Sequence, residues 1–193
     1  LEGMKVVLVA RGKEALEETA RELSEETGGD FITIVADTGK PESVQAMVKE
    51  AGEKLGTIDI LVNSAARVSG AYSPKLAEIT EDDFWSDMNT KVMGYLRCAQ
   101  AVAPYMIEQG WGRIINTLNS AAKAPSANSG PTSVARAAGM AMTKALATEF
   151  AADGVLVNAL NTGLLVSHQW VTKWEAQAGD QTFDQFVYEM GRR

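Results

Sequence analysis

Five short apolar runs recur along the chain, at residues 5–10, 31–36, 58–63, 113–118 and 155–160, each rich in Val and Ile. Near-continuous apolarity over strand length is expected where helices bury both faces of a parallel sheet. Longer stretches of helical period separate these runs, at 13–26, 42–55, 81–108 and 132–152. In the first, Ala15, Leu16, Thr19, Ala20 and Leu23 share one stripe while Glu17, Glu18, Glu22 and Glu25 face water, and Gly28-Gly29 ends it. Pro41 stands in the first turn of the second, where a helix tolerates it. Thr80 followed by Glu81, Asp82 and Asp83 reads as an N-cap with acids in the first turn. The alternation predicts an α/β fold with a doubly wound parallel sheet. From 168 to 193, aromatic and aliphatic residues interleave with polar ones, as in one or two amphipathic helices over a sheet edge. The small-residue stretch 120–133 predicts a close-fitting loop.

Composition narrows the classes. With 193 residues one domain is the expectation, 1–193, with 168–193 as a helical segment on its substrate side. A net charge of −7 opposes non-specific binding to nucleic acid or an anionic membrane, and no apolar run approaches the roughly 18 residues of a membrane span. One cysteine, Cys98, and one histidine, His168, leave no His/Cys zinc set and no internal disulfide, so no metal and a reduced cytoplasmic setting are expected. The chain opens on Leu1 and runs within a few residues into an apolar strand, as if cut from a longer polypeptide, and lacks the pattern of a signal peptide.

Asn63-Ser64-Ala65-Ala66 after the third run resembles the Asn-Asn-Ala-Gly motif of the short-chain dehydrogenase/reductase family. Other landmarks follow in order. Asp37-Thr38 resembles the family's adenine-contacting acid, and Asn89 its active-site asparagine. Gly112-Arg113-Ile114-Ile115-Asn116 resembles the approach to its catalytic serine, and Val157 to Gly163 its Asn-Pro-Gly region. The resemblance implies a Rossmann-like sheet that binds NADP or NAD at the carboxyl ends of its strands. It also implies that the family's first strand, Gly-rich phosphate loop and last strand are lacking here. The first and third strands would then face each other across a slot about 9.5 Å wide.

The same resemblance locates the chemistry. Family enzymes move a hydride between a nicotinamide and a carbonyl or alcohol, with tyrosine as acid/base, lysine beside it and serine on the carbonyl. The Tyr-x-x-x-Lys pattern falls on Thr132 and Arg136, and the serine on Asn119, with Ser120 beside it. An aliphatic hydroxyl is far less acidic than a phenol, so proton transfer is the step most affected. Arg136 keeps a positive charge that could hold ribose. Asn63, Ser64, Ala65, Thr162, Gly163 and Ser167 fall on cofactor-contacting positions, and Arg11 stands where an acid would bind the 2′-hydroxyl of NAD, which favours NADP. Two functions stay open: an oxidoreductase with a divergent site acting on a small carbonyl or alcohol, or a non-catalytic dinucleotide-binding or subunit-interaction relative. Structural roles stay open too, Thr132 as a helix cap and Arg136 as a surface cation. The long helices resemble those through which family members form dimers and tetramers, which implies a homodimer or homotetramer.

Overall fold

The computed structural model describes residues 3–66, 75–127, 129–163, 165–166, 168–177 and 179–190. Strands β1 (Val6–Ala10), β2 (Phe31–Val35), β3 (Ile60–Asn63), β4 (Gly112–Asn119) and β5 (Val155–Thr162) alternate with helices α1 (Lys13–Thr27), α2 (Pro41–Leu55), α3 (Glu81–Met88), α4 (Gly94–Glu108) and α5 (Gly130–Glu149). Two short helices follow, α6 (His168–Gln177) and α7 (Phe183–Met190). They pack through edge-on rings, Trp170 on Phe186 and Trp174 on Phe183. The fold is α/β with parallel strands, as the alternation predicts.

All strand pairs are parallel. β1 pairs with β2 from Val6↔Phe31 to Ala10↔Val35, and β4 pairs with β3 and, over its full length, with β5. The strands form two sheets, β1–β2 and β3–β4–β5. Val9, Ile60 and Val62 are 40%, 42% and 56% exposed, so apolar side chains of β1 and β3 remain open to solvent. One continuous core nevertheless spans both sheets. Ile34 of β2, Val44, Met47 and Val48 of α2, Cys98, Val102 and Met106 of α4, Ile114 of β4 and Val157 of β5 belong to it.

The segment 81–108 departs from the single helix expected. Between α3 and α4 the backbone widens into a π-helical turn over Asn89–Met93, where the Gly94 N–H donates to the Asn89 carbonyl, five residues back. Gly94 lies against Thr38: a Cβ there would meet Thr38 Oγ1 at 3.0 Å and its carbonyl oxygen at 3.2 Å. The extra residue of such a turn shifts every later side chain around the helix axis relative to regular α geometry.

Cys98 is 3% exposed within this core, and burial pushes its thiol up to about 11. The folded protein is therefore expected to resist a thiol reagent at pH 8, with reaction tracking global unfolding in urea. Because the folded thiol ionises later than the unfolded one, this group's contribution to stability is intact below pH 9. It is lost as pH rises through 11, by up to about 3 kcal/mol. Cys98→Ala should flatten that alkaline decline in urea unfolding; an unchanged decline would assign it elsewhere.

Candidate active site

A cavity of about 340 Å³ opens where β1, β2 and β3 end, lined by Val9, Ala10, Arg11, Ala36, Asp37, Thr38, Ala65, Ala66, Ser86 and Thr90. Position at strand carboxyl ends follows from parallel βα units, whose loops all leave the same sheet edge. Arg11, Asp37, Thr38 and Ala65 of the sequence-derived candidates meet here. Asp37 is braced by its own turn: Oδ1 accepts from the Gly39 N–H at 2.9 Å, and its backbone N–H donates to Ser43 Oγ at 2.9 Å. Ser64 lies exposed beside the cavity's Ala65.

Asn63 turns inward. Its Nδ2 donates to Asn116 Oδ1 at 2.9 Å and to the Tyr95 carbonyl at 3.3 Å, while Asn116 Nδ2 donates to Thr143 Oγ1 at 2.9 Å. Thr143 Oγ1 in turn donates to the Gly139 carbonyl at 2.7 Å. This chain of amides and hydroxyl ties β3, β4 and α5 together with each of its side-chain donors paired, which buried groups require.

Arg136 is not a surface cation. At 8% exposure it points into the β4–α5 interface, where Nη1 donates to the Thr117 carbonyl at 2.6 Å and to Tyr95 Oη at 3.3 Å. Tyr95 Oη donates to the same carbonyl at 3.1 Å. Burial raises the Tyr95 phenol above its ordinary range, with the Arg136 guanidinium opposing that shift. Arg136 Nε and Asn119 Oδ1 are buried with no hydrogen-bond partner among the described residues. Asn119 lies opposite Thr162 in the β4–β5 register, and Thr162 Oγ1 donates back to the Leu118 carbonyl at 3.1 Å. Ser120 and Gly163 are exposed just beyond these strand ends. Ser167 lies outside the described residues.

Asn89 does not meet Thr132. Its Nδ2 donates to the Gly39 carbonyl at 3.1 Å and its Oδ1 accepts from Arg97 Nη1 at 2.8 Å, so it joins the π turn to the β2–α2 loop. The residue of that turn which reaches Thr132 is Lys91. Lys91 Nζ donates to Asp87 Oδ2 at 2.6 Å and to Thr132 Oγ1 at 2.9 Å, and Thr132 Oγ1 donates to Asp87 Oδ2 at 3.0 Å. Thr132 is thus tied to a buried ion pair and does not cap α5. Lys91 and Asp87 were missed in the sequence. Their one signal is opposite charge at i,i+4, ordinarily a solvated pair.

Among the described residues no three His, Cys, Asp or Glu side chains converge as a metal site, and no helix is long and apolar enough to cross a membrane.

Comparison with known proteins adds an independent line. Residues 1–178 match the family model described as short chain dehydrogenase. A dehydrogenase subunit of Thauera aromatica, (2S)-[(R)-hydroxy(phenyl)methyl]succinyl-CoA dehydrogenase subunit BbsD, is 35% identical over 169 residues, covering 88% of this chain and 66% of its own. L-Sorbose reductase from Gluconobacter frateurii, solved with NADPH and L-sorbose, is 32% identical with a TM-score of 0.87, over 97% of this chain and 70% of its own. NAD⁺-bound xylitol dehydrogenase is 27% identical with a TM-score of 0.85, over 98% of this chain and 74% of its own.

Proposed function

The chain belongs to the short-chain dehydrogenase/reductase family, and from that premise we propose that it binds a nicotinamide dinucleotide, NADP in preference to NAD, and interconverts a small carbonyl compound and its alcohol through an altered acid–base group. The observation that carries this reading is the cavity at the strand ends, which joins Arg11, Asp37, Thr38 and Ala65. Its volume suits one nucleoside half of a dinucleotide. Arg11 would take a 2′-phosphate and Asp37 the adenine, while Asn119, Thr162 and Gly163 at the β4 and β5 ends would border the nicotinamide half. When bound, the reduced dinucleotide supplies the hydride.

Fluorescence titration with NADPH and NADH, beside a screen of ketones and ketoses for turnover, tests the reading. NADPH is expected to bind more tightly, and Arg11→Asp should reverse the ratio of the two affinities by about tenfold or more, because a charge-assisted contact to phosphate becomes a repulsion. Equal affinities unmoved by that change would remove Arg11 from the site. Binding without turnover would favour a dinucleotide-binding relative that does no chemistry, a reading supported by the Arg136 guanidinium being turned into the core.

The relatives' substrates, L-sorbose among them, make a polyhydroxylated ketone a reasonable first probe. The likeness of the long helices α4 and α5 to those that pair in family dimers and tetramers supports self-association across these helices. Light scattering is expected to give at least twice the chain mass, and a monomer at all concentrations would count against it.

A further inference from the structure

We propose that Lys91, clamped by Asp87, is the cation that readies the Thr132 hydroxyl to protonate substrate oxygen, the task for which Arg136 is out of place. The inference rests on the reading of the cavity as part of an oxidoreductase site. Three observations meet here. Lys91 is 3% exposed and Asp87 6%, whereas Thr132 is only half-buried, so Thr132 is the member of this hydrogen-bonded group that lies nearest to solvent. Thr132 sits in the first turn of the 20-residue helix α5, where the helix dipole favours developing negative charge. Lys91 lies in the π turn Asn89–Met93, which sets the side chains of this segment off regular α-helical spacing.

The geometry defines the proton path. As substrate carbon takes the hydride, the Thr132 hydroxyl turns its proton from Asp87 Oδ2 to the substrate oxygen, the Oγ1–H bond breaks and a bond forms between that proton and the substrate oxygen. A Lys91 Nζ–H bond breaks to restore the hydroxyl, along the 2.9 Å contact that already exists. The Lys91 amine regains its proton through the Thr132 hydroxyl, from water that reaches Thr132 once product has left, and Asp87 holds it in register throughout. Lys91 acts through Thr132 and is a positioning residue. A hydroxyl beside an ammonium also lowers the cost of the oxyanion before the proton arrives.

The test compares wild type with Thr132→Val, which keeps shape and leaves the Lys91–Asp87 pair in place, Thr132→Ser, and the neutral double variant Asp87→Asn/Lys91→Gln. Thermal melting and NADPH affinity control for folding and for the dinucleotide site. The readouts are kcat and KM on the ketone and ketose panel, and the affinity of the NADP-loaded protein for benzoate, a carboxylate that places an anionic oxygen where the alkoxide would form. Thr132→Val and the double variant are expected to keep NADPH binding within about twofold. Both should lose kcat by about a hundredfold, with KM little changed, and bind benzoate about tenfold more weakly. Thr132→Ser should recover most of kcat.

A Thr132→Val protein that turns over substrate and binds benzoate like wild type overturns the proposal, as does a wild type that binds NADPH yet shows neither turnover nor benzoate binding. A wild type that fails to bind NADPH overturns the dinucleotide reading beneath it as well.

Discussion

Gly154→Ala is expected to destabilise the protein by about 4 kcal/mol, a loss that would appear as a lower urea midpoint with an unchanged slope. Gly154 adopts φ 74° where the 3₁₀ turn Ala151–Asp153 hands over to β5. An L side chain in this left-handed region costs roughly 1–2 kcal/mol. The second contribution is steric. An alanine Cβ would press into the Gly110 carbonyl group, main chain that no rotamer change can clear, and forcing that approach adds roughly 1–3 kcal/mol. Gly154 directly precedes Val155, which pairs with Gly112 at the start of the β4–β5 register, so the displaced backbone also disturbs the strands that end at Asn119 and Thr162. Gly28→Ala separates the two contributions: Gly28 has the same left-handed backbone, φ 70° and ψ 10°, but nothing lies within 4 Å of the added carbon, so only the conformational cost of about 1–2 kcal/mol is expected. Equal losses from the two variants in urea unfolding would refute the close approach at Gly154.

Strands were legible because each is a burst of Val and Ile between helices, and the structural bounds fall within two residues of those expected from the apolar runs. The helix at 81–108 was legible as helical but not as interrupted. The π turn ends at Gly94, which packs against Thr38 more than 50 residues away in sequence, a tertiary contact that local periodicity does not record. Within that turn Asn89, which a motif can locate, faces the β2–α2 loop, while Lys91, two positions on, meets Thr132.

At the candidate site the motifs mark segments, and the fold decides where their side chains turn. Arg11, Asp37, Thr38 and Ala65 share a cavity because all leave strand ends on one edge, a consequence of parallel topology that the alternation of elements already implies. Asn63 and Arg136 turn inward because partners on other elements, Asn116 for one and the Thr117 carbonyl for the other, satisfy them there. Such choices are made by pairing across the fold, beyond the reach of a single-segment pattern.

Lys91→Met is expected to cost about 3–5 kcal/mol, more than deleting any exposed ion pair of this chain. In the folded protein Lys91 Nζ lies 2.6 Å from Asp87 Oδ2, with side chains 3% and 8% exposed. Attraction between the two offsets the desolvation of each, so removing one leaves a carboxylate in a dry site. Thr132 would supply one remaining hydrogen bond to that carboxylate, which softens the loss without cancelling it. By contrast Lys49→Met, which breaks the pair with Glu53 at 78% and 66% exposure, should cost less than about 1 kcal/mol. The double variant Asp87→Leu/Lys91→Met carries the argument further, because replacing both charges with apolar groups of similar volume is often neutral or stabilising. It should recover most of the single variant's loss, yet fail in turnover through loss of the groups that hold the Thr132 hydroxyl. Recovered stability with lost turnover would separate what the pair does for the fold from what it does for the site. If Lys91→Met instead unfolds in urea like its parent, the pair is not closed off from water, and neither its cost nor its proposed role at Thr132 holds.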